Sequence, residues 1–265
     1  MTQQASPPPR LVALPLGSSA YVASLLIALN ISMFLLETLA GGSQNPCTLI
    51  RFGAKFNVLI QQGQYWRLVT PIFLHIGLSH LLFNQYALWI LGREVEQLFG
   101  SARFAVLYLL TGMWGNVTSM LFVDAISAGA SGAIFGLVGA QLTFLWVNRH
   151  VLGEIGRQQR LNLLGIIGLN LIFGVTVPGI DNWNHMGGLA SGLLLGAVLA
   201  PRYATGVVTP FHVVIVDTNP LRERLWFVAG VIALTVALVP LLAGFAPTSP
   251  RDGLLLSFCV SRPAG

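Results

Sequence analysis

Charge is what this chain has least of. Only 9% of its 265 residues are Asp, Glu, Lys or Arg, about a third of the ~25% found in ordinary soluble domains. By contrast, 54% are apolar and the mean hydropathy is +0.74. So few ions cannot cover a water-facing surface, which excludes a soluble globular enzyme and a disordered scaffold. Lysine is nearly absent: Lys55 is the one lysine among 14 basic residues. The arginines stand singly or in pairs between apolar runs, as membrane flanks do, and not in a phosphate-binding stripe. The net charge of +5 and pI near 9.8 therefore do not signal a nucleic-acid partner. Two kinds of intramembrane hydrolase also lack their residues. No His-Glu-x-x-His string occurs to hold a metal, and Asp124, Asp181 and Asp217 fall in predicted loops, not in paired membrane positions. Cysteine is limited to Cys47 and Cys259.

What the chain does have is long apolar runs. A helix needs ~20 mostly apolar residues to cross a ~30 Å hydrocarbon core, and seven runs meet or approach that length: 20–39, 74–91, 104–123, 131–147, 161–177, 185–200 and 225–245. They are continuous, so the alternation of a β-barrel is missing. The expected fold class is an all-α membrane protein, a polytopic helical bundle lying in a lipid bilayer. Residues 1–19 read as a short disordered tail rich in Pro, Gln and Ser, without a recognisable signal or transit peptide. The stretch 40–73 is the longest connection, a first external loop. Residues 204–265 comprise a cytoplasmic linker, the seventh span and a short external tail.

Orientation follows the arginines. With a cytoplasmic N-terminus, Arg10, Arg93, Arg103, Arg149, Arg157, Arg160, Arg202, Arg222 and Arg224 face inside, and Arg51, Lys55, Arg67, Arg251 and Arg262 face outside. Together with the lack of a transit sequence, this points to a bacterial plasma membrane. Cys47 and Cys259 then share the external side, either as a disulfide in an oxidising compartment or as two free thiols.

Polar groups inside a bilayer are costly, so each is a functional hypothesis. In the second span His80 and Asn84 are four residues apart, on one helical face. The fourth span opens with Gly129-Ala130-Ser131-Gly132, and the sixth with Asn184-His185-Met186-Gly187-Gly188. The fourth span carries Gly132, Gly136 and Gly139, and the sixth carries Gly188, Gly192 and Gly196. Small residues let helices approach closely. If these faces meet, the Ser131 hydroxyl comes within reach of the His185 imidazole, a nucleophile with its general base. The Ser131 N–H, at the positive end of its helix, joins His80 and Asn84 as oxyanion donors. Gly129 and Gly132 leave room beside the nucleophile for a substrate backbone. No acid is placed to orient His185 directly; Phe135, one turn after Ser131, can pack on its ring. Asp181 reads as a loop or cap residue. His75 reads as a structural hydrogen-bonding residue of the first loop, and Asn116 and Asn170 as interhelical hydrogen-bonding residues. His150 and His212 read as solvated loop residues.

These strings resemble the motifs of the rhomboid intramembrane serine proteases. Gly129-Ala130-Ser131-Gly132 is similar to that family's GxSG. His80 through Asn84 is similar to its HxxxN, with a further histidine at His75. Tyr65-Trp66-Arg67 is similar to the WR pair of its first external loop, and His185, Gly188 and Gly192 to its HxxGxxxG. The resemblance runs from about Tyr65 to Ala200 in the family's order. It implies a six-helix rhomboid-like core over 20–203 plus one C-terminal transmembrane helix, and a Ser131–His185 dyad. It further implies an oxyanion site of His80, Asn84 and the Ser131 amide, Trp66 and Arg67 as a structural clamp, transmembrane protein substrates, and neither metal nor cofactor. A transporter or channel is the rival from another class. It would place a solute site at the bilayer midplane between interrupted helices, whereas the polar groups here cluster near one face. A structural scaffold would leave the clustering without purpose.

Overall fold

The computed structural model describes residues 20–209 and 212–261. The tail read over 1–19 and Arg262 lie outside the described residues. In lipid every backbone polar group must be paired internally, so the apolar runs close into helices. Helix α1 (Tyr21–Leu39) begins with no side-chain cap of its own. Its first amides, Val22 and Ala23, donate instead to the carboxylate of Glu96 at 3.0 and 2.7 Å. The loop read over 40–73 folds into short pieces: α2 (Pro46–Phe52), α3 (Asn57–Gln61) and two 3-10 turns (Tyr65–Leu68 and Thr70–Phe73).

The second span is a rod of three parts. Helix α4 (Leu78–Ala87) passes through a π-helical turn (Leu88–Gly92) into α5 (Arg93–Phe99). It begins and ends later than the predicted 74–91. Gly77 and Gly100, at φ 84° and 81°, mark its limits, and the Arg93–Glu94–Glu96 end is helical without being apolar. Helix α6 (Ser101–Phe122) follows, then α7 (Ser131–Val147), whose ends coincide with the predicted run. Helix α8 (Arg149–Thr176) begins much earlier than the predicted 161 and contains a break at Gly153. Arg149, His150, Arg157 and Arg160 therefore sit on a helix, not in a loop, because hydropathy registers only the lipid-crossing part. Helix α9 (Asn182–Leu199) leads into an antiparallel hairpin, β1 (Tyr203–Thr209) and β2 (His212–Asp217). The predicted linker is thus a hairpin rich in Val, with His212 and Asp217 on a strand. Helices α10 (Leu225–Ala243) and α11 (Pro250–Ser261) complete the chain.

Among the described residues, four segments are long and apolar enough to cross a membrane: α1, α6, α8 and Leu221–Ala243. The predicted seven runs outnumber them because α7 is a shorter apolar helix, the α4–α5 rod is interrupted, and α9 opens on polar residues. The fold is nonetheless a polytopic helical bundle, with α7 at its centre against α6, α8 and α9. Leu107, Tyr108, Leu137, Phe144, Leu195 and Leu199 form the main core. Along the α7–α9 seam the two backbones touch. A Cβ on Gly188 would lie 2.0 Å from the Gly132 carbonyl oxygen, and one on Gly192 2.0 Å from that of Gly136.

At the end opposite Ser131, Asn148 donates to the Pro201 carbonyl and accepts from the Tyr203 N–H, while Arg103 pairs with Asp217 at 2.8 Å. At the Ser131 end, Cys47 of α2 is bonded to Cys259 of α11 in a disulfide. That resolves the two readings of the cysteines and ties the external loop to the C-terminal helix.

Gly188→Val or Gly192→Val forces α9 off α7. Overpacking of this kind costs ~1–3 kcal/mol, so thermal unfolding in detergent is expected several degrees below wild type. Gly230→Ala, where a Cβ meets open space, should leave it unchanged. In non-reducing gels the wild type should change mobility when reductant is added, and Cys47→Ser should not.

Candidate active site

Ser131 is the first residue of α7, so its N–H is one of the unpaired amides that every helix presents at its N-terminus. The approach to it is fixed by Gly129, whose φ of 143° only glycine adopts readily; its N–H donates to the Pro71 carbonyl at 2.9 Å. A Cβ at Gly129 would lie 2.6 Å from His80 Cε1 and 3.8 Å from the Ser131 hydroxyl oxygen. The missing methyl thus leaves one corner shared by imidazole, serine and whatever enters between them.

His185 lies in the first turn of α9 and is 8% exposed. Its ring stacks on Phe135 with centroids 4.4 Å apart and planes 11° from parallel. Its neighbour Asn184 packs into the space left by Gly132, where a Cβ would fall 2.1 Å from Asn184 Oδ1. The residues adjoining Ser131 and His185 are therefore in contact, and Gly188 abuts Gly132 one turn on. Serine and histidine stand at the same end of the same helix crossing.

His80 and Asn84 occupy one face of α4. The Ile76 N–H donates to His80 Nδ1 at 3.4 Å. A neutral imidazole carries one proton, so this bond leaves it on Nε2, the atom turned toward Gly129. The buried Asn84 amide gives one N–H to the His80 carbonyl at 2.9 Å; its second N–H is available to a ligand. His75 is fully buried, and besides the Phe73 backbone of the loop its partners come from the helices. Its N–H donates to Glu37 of α1 at 3.4 Å and its ring lies 3.4 Å from the Gln85 amide of α4. Its ring also tilts against that of His80, with centroids 5.5 Å apart.

The Trp66–Arg67 pair lies in the external loop. Arg67 donates to Gln64 Oε1 and the Ile50 carbonyl at 2.7 Å and to the Ala54 carbonyl at 3.3 Å, and its guanidinium sits 4.5 Å over the Trp66 ring. It touches none of the residues around Ser131 by hydrogen bond; it holds the loop. Asn116 does bridge elements, donating to the Leu68 carbonyl at 3.0 Å and accepting from the Asn184 amide at 2.8 Å. Asn170 instead donates to Ile166 of its own helix, because its exposed face meets no neighbouring helix.

A polar bed lies beneath the site, in which Asp181, read from the sequence as a loop or cap residue, is the N-cap of α9, and Lys55 carried no such reading. Asp181 accepts from the Asn184 N–H and from the Ser119 and Ser127 hydroxyls. Lys55 is fully buried, donates to the Val123 carbonyl at 2.6 Å, and pairs its backbone with Ser127. A signal existed: Asn116 and Ser119 stand three apart on one face of α6, facing an Asp four residues before the histidine. Burial pushes the Lys55 ammonium down from 10.5 to about 8, outweighing the attraction of Asp181, Asp124 and Asp252.

The helical membrane bundle thus carries a serine, three histidines and an amide at one end of a glycine seam. The family model described as the rhomboid domain matches residues 62–202, and the chain belongs to the rhomboid family. It is 51% identical over 176 residues to rhomboid protease GluP of Bacillus subtilis (strain 168), covering 66% of this chain and 34% of that protein. It is 35% identical over 215 residues to RHOMBOID-like protein 6, mitochondrial, of Arabidopsis thaliana, covering 74% of this chain and 67% of the relative. With RHOMBOID-like protein 7 of the same plant it shares 39% over 187 residues, 70% of this chain and 58% of that one. The chain thus spans about a third of the Bacillus relative and roughly three-fifths to two-thirds of these plant relatives.

Because the folded pKa of Lys55 lies below its unfolded value, the unfolded chain holds one more proton between the two. Stability should therefore rise as pH climbs from about 8 toward 10.5. Melting temperatures across that window should rise more steeply in wild type than in Lys55→Met.

Proposed function

We propose that this chain is an intramembrane serine protease that hydrolyses peptide bonds in or next to transmembrane segments by a Ser131–His185 dyad. The observation that carries the reading is the contact of Gly132 with Asn184 and Gly188, residues that adjoin Ser131 and His185 at one end of the α7–α9 seam. Membership of the rhomboid family and the kinship with a named rhomboid protease support it.

His185 removes the Ser131 hydroxyl proton as the oxygen attacks the substrate carbonyl. The negative charge that forms on the carbonyl oxygen is met by the Ser131 N–H, His80 Nε2–H and the second N–H of Asn84, the oxyanion donors of this reading. Collapse breaks the C–N bond, and the leaving amine takes the proton from the imidazolium. Water then gives a proton to His185 and attacks the acyl-enzyme, and Ser131 recovers its proton on release. Gly129 and Gly132 keep the approach clear, Phe135 holds the imidazole plane and Gly188 holds the helix against α7. A substrate helix must unwind locally before its backbone can reach Ser131, which favours helices weakened by Gly, Ser or β-branched residues. The domain plan is a six-helix core over 20–203 followed by α10 and a tail. The N-terminus is assigned to the cytoplasm and Ser131 to the outer face of a bacterial plasma membrane; the Cys47–Cys259 disulfide on the Ser131 side favours an oxidising exterior there.

Reconstituted with a single-span reporter substrate, Ser131→Ala and His185→Ala should show no cleavage above background. Asn84→Ala should retain activity lowered ~10²–10³-fold, as for loss of one oxyanion donor. A serine-directed phosphonylating probe should label wild type and not Ser131→Ala. Labelling that survives in that variant removes Ser131 as the nucleophile.

A further inference from the structure

The proposed dyad has no acid bonded to its histidine: His185 Nδ1 is buried and has no hydrogen-bond partner. Its ring stacks on Phe135, and its position along the seam depends on where the backbone of α9 begins. That backbone is set by one carboxylate. Asp181 caps α9, its Oδ1 accepting the Asn184 N–H at 3.0 Å. Its carbonyl accepts the His185 N–H at 3.2 Å. Its other carboxylate oxygen accepts hydroxyl protons from Ser119 of α6 and, at 2.8 Å, from Ser127. Ser127 stands four residues before Ser131, in the segment that leads into α7, and its backbone pairs in both directions with Lys55.

We propose that Asp181 is a positioning residue for the reaction, fixing the distance between His185 and Ser131 by binding the first turn of α9 to the segment that presents the serine and to α6. This inference rests on the reading of Ser131 and His185 as the reacting pair. A carboxylate suits the task because it is an acceptor only, with enough lone pairs for all three side-chain bonds. A negative charge is also favoured at a helix N-terminus. The buried Lys55 ammonium provides the balancing charge nearby. Asn184 extends the brace: its amide donates to Asn116, which in turn donates to the Leu68 carbonyl of the external loop. No hydrogen bond joins the Asp181 carboxylate to the His185 ring among the described residues, and the proposed role is the placement of the helix that carries the base.

The test uses the full chain in lipid nanodiscs with a single-span reporter substrate, reading kcat and KM together with thermal unfolding. A misplacement of about 1 Å can cost ~10²-fold in rate. Asp181→Ala is accordingly expected to lower kcat by roughly 10- to 100-fold with KM changed less than about twofold. Asp181→Asn should restore kcat to within about fivefold of wild type. Its amide oxygen keeps the Asn184 bond and its NH2 can donate to both serine hydroxyls. Ser119→Ala combined with Ser127→Ala, which leaves the helix cap intact, should also lower kcat without moving KM. Wild-type kcat in Asp181→Ala, or an Asn variant as slow as the Ala variant, overturns the proposal. If Asp181→Ala does not fold, wild-type kcat in the double serine variant overturns it instead. A wild type that neither cleaves the reporter nor takes the serine-directed probe at Ser131 removes the protease reading, and this inference with it. Cleavage by wild type and Asp181→Ala at equal rates removes this inference alone.

Discussion

The rest of the structure depends on the contact of two helix backbones along the α7–α9 seam. Between apolar helices in lipid there is no hydrophobic gain from association, so close packing and hydrogen bonding have to hold them. Gly132 against Gly188 and Gly136 against Gly192 permit an approach that any Cβ would prevent. The same approach brings Gly132 and Asn184, the neighbours of Ser131 and His185, into contact at one end of the seam. Stability of the bundle and geometry of the proposed dyad are thus one feature.

Polarity is concentrated around that end, with the charged Asp181 and Lys55 among neutral side chains. Asn116, Ser119, Ser127 and Asn184 pair with one another, with Asp181 or with loop carbonyls, and Asn57 donates to the Met120, Val123 and Pro247 carbonyls. A buried polar group without a partner costs about 1–3 kcal/mol; these bonds satisfy most of the cluster, while Asn57 Oδ1 and Asn184 Oδ1 are without a partner among the described residues. The external loop is the other half of this arrangement. Arg67 binds its carbonyls from within, and the Cys47–Cys259 disulfide and the Arg51 bond to the Cys259 carbonyl attach it to α11. Opposite, Arg103, Asp217, Asn148 and Tyr203 secure the hairpin end, leaving the two ends of the bundle differently built.

Particular elements show what could be read in advance. The run 131–147 is apolar with abrupt polar and glycine boundaries, and α7 has those ends. The start of α8 was invisible because Arg149–Arg160 is helical but not apolar, and a hydropathy window cannot register a helix outside lipid. The hairpin after α9 and the helical pieces of the external loop escaped for the same reason: neither is a membrane run. In the site, Ser131, His185, His80 and Asn84 stood out as polar residues in apolar surroundings. Asp181 and Lys55 did not, since in a sequence they are ordinary loop charges.

The sequence by itself determined that this is a polytopic helical membrane protein of the rhomboid family, because composition sets the solvent a chain can live in and short motifs survive in linear order. It also marked which polar residues the bilayer would not tolerate without purpose. Only the tertiary structure decided that the glycine faces of α7 and α9 meet, that Cys47 and Cys259 are joined across 212 residues, and that Asp181 binds three elements at once. Each of these is a contact between distant parts of the chain, set by packing, and no local pattern of residues encodes such a distance.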